Sequence, residues 1–290
     1  MKVLVAGAKG MLGHDLIPAL KHTGHLVVSS GLQPSDEPDY VRMDITDVAQ
    51  VREAFAAVRP EAVINCAAYT NVDAAETDEA NAYRINALGS WNLALACQAA
   101  EIPLMYVSTD YVFDGTKGSA YDEYDLPNPQ SVYGRSKRAG EIHVERLCTK
   151  HYIVRTAWLY GRGGKNFVET ILKAASEKPE LKVVNDQWGS PTCTTDLAQA
   201  MTALLTTERF GTYHVTGSGV CTWHDFAKKI IELSGLQTPI LPQTTEELNR
   251  PAPRPRYSML SHRALGLAAL PAMTQWETSL ERYLASRAKP

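Results

Sequence analysis

Through the first 160 residues, compact apolar runs alternate with longer segments in which apolar residues return every three or four positions. "KVLVAG" is a β-branched run ending at glycine, the pattern of a buried strand, and "MLGHDLIPALKHTG" follows with helical periodicity and a closing Gly24. "HLVVSS" predicts a second strand. "DITDVAQVREAFAAVRP" predicts a helix with Asp47 as its N-cap and Pro60 as its stop. "EAVINCAA" and "PLMYVSTD" predict two further strands, separated by the long helical segment "AETDEANAYRINALGSWNLALACQAAE". A helix around 130–147 and a strand across "YIVRTAWLYG" continue the series. This order implies an α/β fold: parallel strands joined by right-handed crossovers, with helices on both faces of a doubly wound sheet.

After about residue 160 the texture changes. "GRGGKN" reads as a turn, short strands are expected at 181–184 and 211–215, and "LQTPILPQTTEELNRPAPRPRYSML" is proline-rich and polar, an extended loop or a linker. Residues 1–160 are therefore expected to form mainly a dinucleotide-binding Rossmann domain. Residues 161–290 would form mainly a smaller substrate-binding lobe, with some segments returning to the first domain.

Composition narrows the function classes. With 44% hydrophobic and 21% charged residues and a formal charge of −3, the chain has no basic field for nucleic acid or a membrane surface. No apolar run approaches a membrane span, and glycines interrupt the N-terminal apolar run too early for a signal peptide. The five cysteines are scattered and odd in number, without metal or disulfide spacing. Free thiols in a cytoplasmic protein are the economical expectation.

Ligands of a doubly wound sheet sit at the carboxyl ends of its strands, and there the sequence concentrates its chemistry. Gly7, Gly10 and Gly13 form G-x-x-G-x-x-G between the first strand and helix. They permit a tight turn, close approach to a pyrophosphate and close helix packing, with the helix N-terminus facing the phosphates. The second strand ends Val28, Ser29, Ser30, Gly31, without the acid that accepts from an NAD ribose, and Lys9 in the glycine loop could meet a 2′-phosphate. NADPH is favoured, with NADH possible. Asp44 could accept from an adenine amino group or cap a helix, and Ala67 and Ala68 could admit a cofactor or simply pack. Ser108, Thr109 and Asp110 end the fourth long strand, where a hydroxyl can hydrogen-bond a carbonyl oxygen as it gains charge, or merely shape a turn. In "SVYGRSKRAGE", Tyr133 and Lys137 share a helix face one turn apart, and an ammonium there would lower the tyrosine pKa. The same spacing also occurs on ordinary exposed helix faces. Together, Thr109 to polarise a carbonyl, Tyr133 to donate a proton and Lys137 to tune Tyr133 form a reductase constellation.

With these motifs the chain resembles the extended short-chain dehydrogenases/reductases, and within them the dTDP-4-dehydrorhamnose reductase family. The matching stretches run nearly end to end: "GAKGMLG", "MDITD", "NCAAYTNVDAAE", "VSTDYVFDG", "YGRSK", "RTAWLYG", "NFV", "NDQWGSPT" and "RPAPRPRYSML". The resemblance implies that Gly10, Met11 and Leu12 line the pyrophosphate and Asp44 and Ile45 the adenine. Ala68, Tyr69 and Thr70 would follow the ribose and nicotinamide. It implies a Thr109–Tyr133–Lys137 triad, with Lys137 also holding the nicotinamide ribose, and sugar contacts from Asp110 and Trp158. Asn166 and Arg254 are expected at the nucleotide-diphosphate end. No metal is expected in catalysis, and a monomer or homodimer is expected. Another nucleotide-sugar reductase or epimerase, or a non-catalytic nucleotide-binding subunit, stands as the alternative.

Overall fold

The computed structural model describes residues 1–287. The chain runs β1 (Lys2–Ala6), α1 (Met11–His22), β2 (Leu26–Gly31), β3 (Tyr40–Arg42), α2 (Val48–Val58), β4 (Ala62–Asn65), the short turns α3 (Val72–Ala75) and α4 (Glu79–Tyr83), α5 (Gly89–Ala99), β5 (Leu104–Thr109), α6 (Val132–Leu147) and β6 (His151–Thr156). Then come β7 (Leu159–Tyr160), α7 (Phe167–Glu177), β8 (Leu181–Val184), β9 (Trp188–Gly189), β10 (Thr192–Cys193), α8 (Thr194–Leu205), β11 (Gly211–His214), β12 (Cys221–Thr222), α9 (Trp223–Leu233), β13 (Ile240–Gln243), α10 (Thr245–Leu248), α11 (Arg263–Leu267) and α12 (Trp276–Arg287).

Seven parallel strands in the order β11–β6–β5–β4–β1–β2–β3 form the central sheet. Val3, Leu4, Val5 and Ala6 are fully buried, as a strand covered on both faces requires. One core lies on the α1 and α8 side, with Leu16, Leu20, Leu197 and Met201; the other lies on the α2, α5 and α6 side, with Met43, Val51, Leu93 and Val144. Strand order runs outward from β1 in both directions, so a crevice opens where β1 and β4 diverge.

A third, aromatic core of Tyr160, Phe226, Trp276 and Tyr283 binds α7, α9 and α12 to the paired short strands β8–β13 and β9–β12. Two late segments return to the sheet: α8 packs on α1, and β11 pairs with β6 at the edge. No helix among the described residues is long and apolar enough to cross a membrane.

Two predicted elements are broken. The long helical segment divides into α4, a π turn at Arg84–Leu88 and α5, with α3 ending where it begins. The turn carries Asn86, whose fully buried amide hydrogen-bonds groups outside the helix. The strand expected across "YIVRTAWLYG" stops at Thr156, because Trp158 adopts φ +49° before β7 resumes. A left-handed aromatic residue cannot continue a strand.

Candidate active site

Gly7 leaves β1 at φ +74°, and a Cβ there would stand 2.6 Å from the Ala67 backbone nitrogen. A Cβ at Gly13 would stand 2.1 Å from the Ala8 carbonyl oxygen. A side chain at Gly7 would run into the chain that follows β4, and one at Gly13 would push α1 off the loop that follows β1. Gly10 caps α1 without a side-chain hydrogen bond, which leaves the first amides of the helix, at Met11 and Leu12, available to an anion. The donors and the space fit a dinucleotide pyrophosphate.

On the far side of β1, Ser30 is fully buried and its hydroxyl has no hydrogen-bond partner. Lys9 follows Ala8, whose amide donates to the Ser30 carbonyl at 3.0 Å, and its Nζ lies 3.8 Å from Glu37 and 4.8 Å from the centre of the Tyr40 ring. Ser30 is closed off from the crevice, so of these two groups only the exposed Lys9 ammonium is free to meet a phosphate. Asp44 turns back to accept from the Thr46 amide (2.9 Å) and hydroxyl (2.8 Å), while Asp47 caps α2. Ile45 is buried, and its carbonyl accepts from the Asn92 amide at 2.9 Å. Across the crevice, Asn65 holds the Ala67 amide at 3.1 Å, and Ala68, Tyr69 and Thr70 continue the loop, with Thr70 exposed.

Helix α6, which carries Tyr133 and Lys137, is set from two sides. Ser131 caps α6 at the Gly134 amide (3.1 Å), and Glu76 accepts from the Val132 amide at 2.8 Å. A Cβ at Gly134 would be 2.2 Å from the Tyr111 carbonyl oxygen, so glycine here lets α6 press against the turn that follows β5. Thr109 lies at the start of that turn. Its hydroxyl donates to Asp110 Oδ1 at 3.0 Å and accepts from the Tyr111 amide at 3.2 Å. The Tyr111 ring packs edge-on against Tyr133, centroids 5.6 Å apart.

The tyrosine is not acidified as the spacing suggests. Burial pushes the Tyr133 phenol up to about 12; the Thr109 hydroxyl acts downward and the Asp110 carboxylate upward. Lys137 instead directs its Nζ to the Val107 carbonyl (2.7 Å) and over the Tyr106 ring (4.2 Å). Burial brings the lysine down to about 7, opposed by the charge of the Glu141 carboxylate. Tyr133 therefore holds its proton at neutral pH, the state a proton donor needs. Burial also lifts Asp110 to about 6 against hydrogen bonds from Ser258 and Thr109, and its Oδ2 has no partner. The Cys66 thiol is pushed up to about 12 by burial, which keeps it from acting as a nucleophile.

Beyond Tyr111 opens a cavity of about 740 Å³, lined among others by Phe167, Gln187, Trp223, Arg250 and Arg254. Trp158, held in its left-handed conformation, stacks on Trp223 with centroids 3.6 Å apart and planes 9° from parallel. Arg254 reaches this cavity gripped by Asp73, Nη1 to Oδ1 and Nη2 to Oδ2, both at 2.9 Å. Asn166 is not brought to it. It caps α7 at the Glu169 amide (3.1 Å) and donates to the Gly161 carbonyl (2.8 Å), with Met11 Sδ at 3.8 Å. A cleft of similar size, about 750 Å³ between α1 and α8, contains none of these groups.

Four positioning residues escape the sequence reading. Asn86 accepts from the Tyr69 amide (2.8 Å) and donates to Ser136 (2.9 Å), tying the cofactor-side loop to α6. Its signal was a polar residue inside an apolar helical stretch. Asp73 and Glu76 sit three residues apart within a quoted motif, and nothing in their spacing reveals that one faces Arg254 and the other α6. Glu141, one turn beyond Lys137, forms a buried two-pronged ion pair with Arg155 at 2.9 Å, a contact between distant segments.

A glycine-lined crevice, a protonated tyrosine on a helix with a buried lysine, and an adjoining cavity with an arginine define a Rossmann-fold enzyme of the tyrosine–lysine reductase class. The chain belongs to the family described as the RmlD substrate binding domain, whose model matches residues 1–288. It is 45% identical to the spore coat polysaccharide biosynthesis protein SpsK of Bacillus subtilis, over 99% of this chain and 98% of that protein. It is 43% identical to a dTDP-4-dehydrorhamnose reductase of Streptomyces griseus, over 96% of this chain and 91% of the relative. The crystal structure of the Bacillus anthracis dTDP-4-dehydrorhamnose reductase in complex with NADP superposes with a TM-score of 0.92 at 41% identity, covering 98% of this chain and 99% of that one.

Proposed function

We propose that this protein reduces the C4 keto group of dTDP-4-dehydro-L-rhamnose with NADPH, giving dTDP-L-rhamnose for cell-surface polysaccharide synthesis. One observation carries the reading: Tyr133 stands beside Thr109 and packs edge-on against Tyr111, which borders the cavity that Arg254 reaches. The B. anthracis relative, solved with NADP, supports the cofactor. In this reading Gly7, Gly10, Met11, Leu12 and Gly13 receive the pyrophosphate, and Asp44 and Ile45 flank the adenine. Lys9 meets the 2′-phosphate, and Ala67 to Thr70 border the ribose and nicotinamide. Reduced nicotinamide, when bound, supplies the hydride.

The chain supplies the rest. Thr109 turns its hydroxyl to the carbonyl oxygen and Tyr133 gives that oxygen its proton. Lys137 meets the ribose, and Asp110 and Trp158 contact the sugar. Arg254 takes the diphosphate, while Asn166 acts through the fold of the loop beside Met11. The division into a dinucleotide domain of residues 1–160 and a substrate lobe of 161–290 belongs to the same proposal. So do a cytoplasmic location, supported by five free cysteines, and action as a monomer or homodimer without nucleic acid.

The test follows nicotinamide absorbance with dTDP-4-dehydro-L-rhamnose and NADPH. Rapid oxidation is expected, with kcat reduced roughly 10²–10⁴-fold in Tyr133→Phe and NADPH affinity retained. Near-normal turnover in that variant would overturn the catalytic assignment. No turnover in the unaltered protein, despite NADPH binding, would point to another 4-keto nucleotide sugar or to a binding subunit.

A further inference from the structure

The guanidinium of Arg254 has three edges, and the structure uses only part of them. Asp73 takes the Nη1–Nη2 edge with both carboxylate oxygens at 2.9 Å. The second Nη1 hydrogen goes to the Ala252 carbonyl at 2.8 Å. Nε and the outer Nη2 hydrogen have no protein acceptor among the described residues. These two lie on one side of the planar group and form a fork of the spacing that suits a phosphate. Arg254 borders the cavity, so the carboxylate fixes the plane and rotation of a side chain whose remaining donors are unspent.

Asp73 has further holds on the same arm. Its Oδ1 lies 3.3 Å from the Ala252 amide, and its Oδ2 3.5 Å from Arg250 Nη1. The arm from 250 to 254 therefore converges on one carboxylate. Three residues on, Glu76 holds the first amide of α6, next to Tyr133. One short turn thus connects the arginine of the cavity to the helix of the proton donor.

We propose that Asp73 is a positioning residue for substrate: it pre-orients Arg254 so that the Nε–Nη2 edge receives the diphosphate of a nucleotide sugar, in register with Tyr133. This rests on the reading that Arg254 meets that diphosphate. A carboxylate near a diphosphate also repels it, and loss of that repulsion acts in the opposite sense to loss of orientation. The sign of the change on removing the charge therefore discriminates between an orienting and a competing Asp73.

The experiment measures dTDP, thymidine and NADPH binding to the full-length protein and to Asp73→Asn, Arg254→Gln and the double variant. The Kd for dTDP is expected to rise in Asp73→Asn by roughly three- to tenfold, the cost of ordering one long side chain on binding. Thymidine, which lacks phosphates, and NADPH are expected to bind unchanged. In the Arg254→Gln background the Asp73→Asn change is expected to cause no further weakening, whereas a merely structural role would weaken binding in either background. Unchanged dTDP affinity in Arg254→Gln would remove the underlying reading and the proposal with it. Weakened binding in Arg254→Gln but unchanged or tighter binding in Asp73→Asn would leave the arginine's role standing and overturn the proposal for Asp73.

Discussion

Asp110 is an acid in an unfavourable place. It is 2% exposed, its Oδ2 has no partner, and burial lifts its pKa from 3.8 to about 6. Between those values the folded chain holds a proton that the unfolded chain has released, so stability falls as pH rises through that window. Above about 6 the penalty is complete, on the order of 3 kcal/mol. Asp110→Asn is therefore expected to be more stable at pH 7.5 by up to about that amount and to lose the advantage near pH 4. Denaturant titrations at both pH values measure this, and equal gains at both would remove electrostatics as the cause. At this scale strand ends and helical spacing singled out Thr109, Tyr133 and Lys137 as candidates, and the structure sets Thr109 at the turn whose Tyr111 packs on Tyr133. The sign of the tyrosine shift was not legible, because it depends on burial by segments far apart in the chain.

Helix α6 turns separate contacts into one rigid element. Tyr133, Lys137 and Glu141 recur every four residues along it, and Glu141 is anchored in β6 through Arg155, whose Nη1 lies 3.4 Å from His214 Nε2. Glu141→Gln leaves a buried guanidinium without its carboxylate and is expected to cost about 3–5 kcal/mol. Glu145→Gln, at the exposed partner of Arg138, is expected to cost less than about 1 kcal/mol. Comparison of their urea midpoints tests this, and similar midpoints would deny the buried pair its anchoring role. Asp47 and Pro60 marked the limits of α2 because capping and proline act locally. The π turn and the break at Trp158 were hidden, since the forces behind them come from Tyr69 and Ser136 in one case and stacking on Trp223 in the other.

At the scale of the molecule, the first half of the chain is not self-sufficient. β11 covers the outer edge of β6, and α8 covers α1 over Leu16 and Leu20. Residues 1–160 expressed alone are expected to lack a cooperative thermal transition by circular dichroism, having exposed that edge and that face. A sharp transition would make the early half an autonomous unit. The alternation of strands and helices made the sheet legible, whereas the second lobe was blurred because its core joins short strands and helices from widely spaced positions. One contact crosses these scales. Asn86 holds the loop after β4 with its carbonyl oxygen and α6 with its amide nitrogen. The loop that walls the crevice and helix α6, which carries Tyr133, thus share a common datum, as two machined faces do when cut from one reference. When that datum drifts, both faces drift together, and the gap between them stays constant.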